Sequence, residues 1–198
     1  MNHGLGVALR VLSVLAGSLF AIVLLRGVVG PEHQIWLFIG VPLAVLIAGA
    51  LVAGLAGRPL LLAARVSRLR PGAVVIAAHT TIETRADARL SGAVERRWDE
   101  LGGSPVALAV LPDRVEVWAV GEDRPRWAVL RRPELPPAAV LGTLPVRGAV
   151  GVVPTPALLF TDGRSRVTVV PVYSVRGSSP QRAAVDVQRA LIQIGMPA

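Results

Sequence analysis

The sequence predicts an α+β protein in two parts. A two-helix transmembrane hairpin comes first, then a mostly antiparallel β domain, a barrel or sandwich, capped by a C-terminal helix. Three observations predict it. An uncharged run of 23 residues, Ile35–Gly57, follows a first apolar run over Leu5–Val29. From Ala73 to Val172 come about seven short β-patterned runs punctuated by Pro, Gly and Asp. Ser178-Ser179-Pro180-Gln181 then opens an amphipathic segment that Gly195 stops.

The second apolar run is long enough to be a span. At about 1.5 Å per helical residue it reaches roughly 34 Å, against a hydrocarbon core of about 30 Å. The first run, 5–29, carries Arg10 and Arg26 near its ends, where a guanidinium can snorkel to an interface. Its apolar character continues beyond Ala16-Gly17-Ser18 through Phe20–Leu25, which suits a retained helix better than a cleaved signal peptide. Gly30-Pro31-Glu32-His33-Gln34 turns the chain, and Trp36 stands where an interfacial aromatic belongs. Between their terminal arginines the spans carry no acid, base or amide, so they are expected to anchor rather than conduct. Gly49, Ala53 and Gly57 recur every four residues and offer a small-residue face for packing within the hairpin or in a homo-oligomer.

Orientation follows from the arginines. Arg58, Arg65, Arg68 and Arg70 follow the second span, and the hairpin loop has only Arg26 at its edge. The positive-inside rule therefore places both termini in the cytoplasm, in a multi-pass protein of the plasma (inner) membrane. Leu60–Leu69 continues as a basic amphipathic helix, expected along the inner headgroups or as an extension of the span, until Pro71-Gly72 breaks it. The expected membrane-interface residues are thus Arg58, Arg65, Arg68, Arg70 and Trp36. Residues 1–70 form the membrane part and 71–198 the cytoplasmic domain.

In that domain Ala73–Ala78 reads as a strand. Arg85–Leu101 reads as a helix with Ala86, Leu90, Val94, Trp98 and Leu101 on one stripe, ended by Gly102-Gly103. Val106–Leu111 and Arg114–Val120 form a hairpin about Pro112-Asp113; in the second strand Val115, Val117 and Ala119 point inward while Glu116, Trp118 and Val120 form the other, amphipathic face. Arg126–Leu130 follows, then a proline-rich connector, Pro133–Pro137. Leu144–Arg147, Ala149–Val153, Ala157–Thr161 and Arg166–Val172 are further β runs, the last two joined at Asp162-Gly163. The closing helix presents Ala184, Val187, Leu191 and Ile194.

Composition narrows the chemistry. With no cysteine there is no disulfide, thiolate metal site or thiol nucleophile. The net charge of +8 comes entirely from arginine on the basic side, the codon bias of a GC-rich, actinobacterial genome. Residues 1–70 hold six Arg against Glu32, so most of the excess lies beside the membrane; the domain shows no basic face with interleaved aromatics and no nucleic-acid partner is expected. His79 has no Gly-x-Ser-x-Gly elbow, and phosphate-binding glycine patterns are missing. Asp99-Glu100 and Glu122-Asp123 sit among arginines in no calcium-loop spacing. No catalytic residue, metal or cofactor is expected.

The phrases LPDRVEVWAV, RWAVL and ALLFTDGRSRVTVVPV, within a succession of antiparallel strands closed by one amphipathic helix, resemble the bacterial pleckstrin-homology-like (PH-like) domains attached to membrane hairpins. The resemblance spans residues 73–195. It implies a PH-like barrel that binds a protein partner or lipid headgroups. The helix before most of the strands departs from the simplest order, and the paired basic residues of phosphoinositide-binding members have no match in the first strands. The expectation is a non-enzymatic, membrane-anchored interaction or scaffold protein with a membrane or cytoplasmic protein partner. The alternative is an accessory subunit of a larger transporter or secretion complex.

Overall fold

Runs of β-branched and small apolar residues between turn signals recur from Val74 to Pro171, and they pair as a single antiparallel sheet. The computed structural model describes Leu43, Gly54 and residues 57–93, 98–145, 151–174 and 179–196. Both expected spans, with Trp36, Gly49 and Ala53, lie outside the described residues, save that Leu43, Gly54 and Gly57 are helical. Among the described residues no helix is long and apolar enough to cross a membrane. The chain divides into two units, Met1–Ala56 and Gly57–Ala198.

In the second unit helix α1 covers residues 57–69. Then come β1 (Val74–Thr80), α2 (Ile82–Leu90), β2 (Pro105–Val110), β3 (Arg114–Ala119), β4 (Trp127–Leu130), β5 (Ala138–Pro145), β6 (Val152–Thr161), β7 (Arg166–Pro171) and α3 (Pro180–Gln193). The strands form one curled seven-stranded sheet in the order β4-β3-β2-β1-β7-β6-β5. β1 is its centre, paired with β2 on one side and with β7 on the other. The concave face holds the main core: Ile76, Val106, Leu108, Val115, Val117, Leu158, Phe160 and Val169, with Ala88 of α2 and Ala190 of α3.

Four expectations are corrected. The helix expected over 85–101 is shorter and earlier. Thr81 caps it: the Thr81 hydroxyl accepts from the Thr84 amide, and the Thr81 amide donates to Thr84 Oγ1 at 2.7 Å. This reciprocal cap outweighs the charged 85–101 pattern as a start signal, and Trp98–Leu101 are not helical. Both threonines also reach the carbonyl of Thr168, which ties α2 to β7. Thr81→Val removes the side-chain cap and the hydroxyl's bond to the Thr168 carbonyl, while the Thr84 amide keeps the Thr81 carbonyl at 3.2 Å. Its expected cost is about 1–2 kcal/mol, read as a lower urea midpoint by tryptophan fluorescence.

Second, Gly102 and Gly103 do not end a helix. They return the chain to the end of β1, where the Gly103 amide donates to the Thr80 carbonyl at 2.6 Å and the Ser104 amide to Thr80 Oγ1 at 3.0 Å. Third, the described part of the run expected at 149–153 and the run expected at 157–161 share one strand, β6, residues 146–150 lying outside the described residues, and β5 begins at Ala138 rather than Leu144. Pro154 and Pro156 are tolerated because β7 pairs β6 only from Leu158 onward. Two residues apart, they direct both nitrogens to that unpaired side while the odd positions serve β5. Fourth, the buried face of α3 is wider at its start: Val187 is buried and Leu191 and Ile194 pack on the core as expected, but Ala183 and Ala190 are buried and Ala184 is exposed. Its expected cap is present, with Ser179 accepting from the Arg182 amide and Pro180 at the first helical position.

Long-range polar ties set the curl. Glu83 of α2 accepts from the amide of Thr143 at 2.9 Å and its hydroxyl at 2.6 Å, fastening edge strand β5. Asp162, in the β6–β7 turn, accepts from the amides of Arg164 and Ser165 and also from that of Leu130 at the end of β4.

Candidate functional site

The convex face of β1, β2 and β3 is where the sequence expectation and the structure part most. Ala107 stands opposite Trp118, and Ala109 opposite Glu116. The two small side chains leave room for the two large ones and for a helix to approach. That helix is α1. Its Leu62 and Val66 are buried against Ala107, Ala109 and Trp118, with Ala63, Ala73 and Val75 at the margin. β3 is therefore buried on both faces, and Glu116 and Trp118 are not the solvent-side residues that alternation predicts. The apolar stripe expected along the headgroups is engaged by the sheet.

A carboxylate clamp holds the end of α1. Glu116, with a side chain only 3% exposed, accepts from Arg70 Nε at 2.7 Å and from Trp118 Nε1 at 3.2 Å on one oxygen. Its other oxygen accepts from Arg114 Nε at 3.1 Å and Nη2 at 3.0 Å. The Arg70 guanidinium also lies 5.0 Å from the centre of the Trp118 ring, a cation–π arrangement. Burial pushes the Glu116 carboxyl up, but the hydrogen bonds and charges of Arg70 and Arg114 outweigh it and hold it below the ordinary value. One turn back, Arg65 pairs with Asp123 in the loop after β3.

The structure thus divides the four expected interface arginines. Arg65 and Arg70 are tied to acidic groups of the sheet side, whereas Arg58 and Arg68 are exposed. Sequence reasoning missed Glu116, Trp118 and Asp123 as their counterparts.

Two further features stand apart. Trp98 and Trp127 meet edge to face with ring centres 5.5 Å apart, and Arg126 lies 4.4 Å over Trp98 while pairing with Glu122 at 2.7 Å. This is a core corner rather than a base-stacking platform. A groove of about 420 Å³ runs beside the proline-rich connector, lined by Leu130, Arg132, Pro133, Leu135, Phe160 and Met196. The His79 Nδ1–H donates to the Gly103 carbonyl at 3.0 Å. Among the described residues no group of three or more His, Asp or Glu is placed to hold a metal ion.

No protein-family model, curated protein or solved structure matches this chain.

Proposed function

We propose that this chain is a non-enzymatic, membrane-anchored interaction or scaffold protein. Spans over 5–29 and 35–57 form a hairpin that holds a PH-like domain at the inner face of the plasma membrane, with both termini cytoplasmic. The observation that carries the reading is the seating of α1. The uncharged run ends at Gly57, where α1 begins, and α1 is buried on the sheet through Leu62 and Val66. A helix that follows the uncharged run directly in sequence and packs on the sheet supports reading that run as the domain's anchor. Seven antiparallel strands closed by a C-terminal helix on β6 and β7 support the PH-like assignment. The groove beside Arg132 and Leu135 is a concave surface suited to a partner.

Two measurements test this. Alkaline extraction leaves an anchored chain in the membrane pellet, and its release to the supernatant refutes the anchor. Gentle detergent extraction followed by native sizing and co-purification should recover the chain with a sub-stoichiometric protein partner. A fixed-ratio, inseparable complex would favour the accessory-subunit alternative instead.

The seat itself has a sharper test. Val66→Asp puts a charge into a fully buried apolar contact, so α1 should leave the sheet. Trypsin cleavage after Arg65 and Arg68 is then expected to accelerate by about tenfold or more, tracking the population of the undocked helix. An unchanged cleavage rate would show that docking does not hold α1.

A further inference from the structure

α1 has a second face that the sheet does not use. Arg58, Leu61, Arg65 and Arg68 follow one another at spacings of three, four and three, which places them on one side of a helix. That side lies about a quarter turn round the helix from the buried Leu62 and Val66, and Arg65 stands on its border with the sheet. All four are exposed, and Leu61 keeps 66% of its surface, an apolar side chain set among three guanidiniums. Residues 57–69 contain no acid, so nothing on the helix offsets this charge. Within the group only Arg65 has an acidic partner, the exposed Asp123.

We propose that this face lies against anionic phospholipid headgroups, making α1 a spacer held between the sheet and the membrane surface. The proposal rests on the anchored reading above and adds to it a lipid class and a division of labour. Arg70, with Glu116, fixes the helix to the sheet. Arg58 and Arg68 meet phosphate, Leu61 enters the boundary between headgroups and acyl chains, and Arg65 borders both surfaces. Charge complementarity selects anionic over neutral lipid, and the position of α1 directly after the 23-residue uncharged run keeps it within reach of that surface. The contact would fix which side of the domain faces the bilayer and leave the groove beside Arg132 for a partner.

The chain has no cysteine, so single cysteines report cleanly. The full-length protein is labelled with an environment-sensitive fluorophore at Leu61→Cys, Ala53→Cys or Arg164→Cys. It is placed in nanodiscs of phosphatidylcholine alone or with phosphatidylglycerol, and quenching by acrylamide is read. The Leu61 label should lose accessibility by about threefold or more when phosphatidylglycerol is present. High salt, or Arg58→Gln with Arg68→Gln, should restore it. The Arg164 label, in the exposed β6–β7 turn, should not respond. If the Ala53 label is shielded in both discs but the Leu61 label stays equally accessible in both, the lipid contact is overturned and the anchor stands. Protection at Leu61 that ignores Arg58 and Arg68 also overturns it. A water-accessible Ala53 label overturns the anchor and the contact together.

Discussion

Gly102→Ala is expected to destabilise the domain by about 3 kcal/mol, more than other glycine replacements at similar backbone angles. Two costs combine at this position. Its φ is +84°, a conformation that L side chains rarely adopt, and an added Cβ would stand 2.8 Å from the Thr80 carbonyl oxygen and 2.9 Å from the Thr81 carbonyl carbon. Those are backbone atoms at the junction of β1 and α2, with no flexible end to swing aside. The junction also holds the Thr81 cap and the Gly103–Thr80 hydrogen bond, so movement there is felt in the centre of the sheet. Gly163 and Gly72 supply the comparison: each has φ of +87°, and an added Cβ meets nothing nearer than 3.8 Å at the first and nothing within 4 Å at the second. Alanine at either should cost only about 1 kcal/mol, the conformational part alone. Thermal unfolding of the full chain by tryptophan fluorescence reads the difference, since three of its four tryptophans, Trp98, Trp118 and Trp127, lie in this unit. The Gly102 variant should melt roughly 10 °C lower and the other two roughly 3 °C lower. Equal shifts at all three would mean that close approach contributes nothing.

What the sequence disclosed follows the range of the forces involved. The hairpin of β2 and β3, the turn at Asp162-Gly163 and the Ser179–Pro180 start of α3 are set by residues within a few positions of one another, and all are found where the pattern places them. β5 was hidden because Ala138, Ala139 and Gly142 have little strand preference of their own. It is a strand because β6 pairs along its whole length and Glu83, 60 positions away, binds Thr143. The seat of α1 is also non-local, yet it left one legible trace. In β2, Val106–Val110 is apolar at every position, which belongs to a strand covered on both faces rather than on one. Read with Ala107 and Ala109 as small residues on a single side, that continuity asks for a second layer. The alternation in β3 argues the other way, because a glutamate whose burial depends on the distant Arg70 and on α1 looks like a surface residue when only its neighbours in sequence, Arg114 among them, are considered. The four arginines after the apolar run were found by charge. Their separation into sheet-facing and outward-facing pairs depends on Glu116 and Asp123, which sequence position does not connect to them.

Glu116→Ala should be the most damaging polar substitution in the domain, with an expected loss of about 2 kcal/mol. The size follows from what each partner retains. Arg70 and Arg114 have side chains 34% and 41% exposed, so water can take over much of their solvation, whereas the Trp118 indole is buried and keeps a donor with no acceptor. Glu116→Gln leaves one acceptor for that indole and should lose only about 1 kcal/mol. Both variants should also speed trypsin cleavage after Arg65 and Arg68, because the clamp fixes the end of α1. The pH dependence separates this electrostatic role from simple packing. The folded carboxyl titrates below its ordinary 4.5, so on acidification the unfolded chain takes up the proton first. The stability that the charged clamp contributes is therefore complete above 4.5 and is lost as pH falls through the folded value. Urea midpoints of wild type and Glu116→Ala should differ fully near neutrality and converge in acid, while the gap between wild type and Val66→Ala should not close in the same way, since neither side chain at that fully buried position titrates. A Glu116→Ala difference that is constant across that range would mean that the side chain acts by filling space and not by its charge.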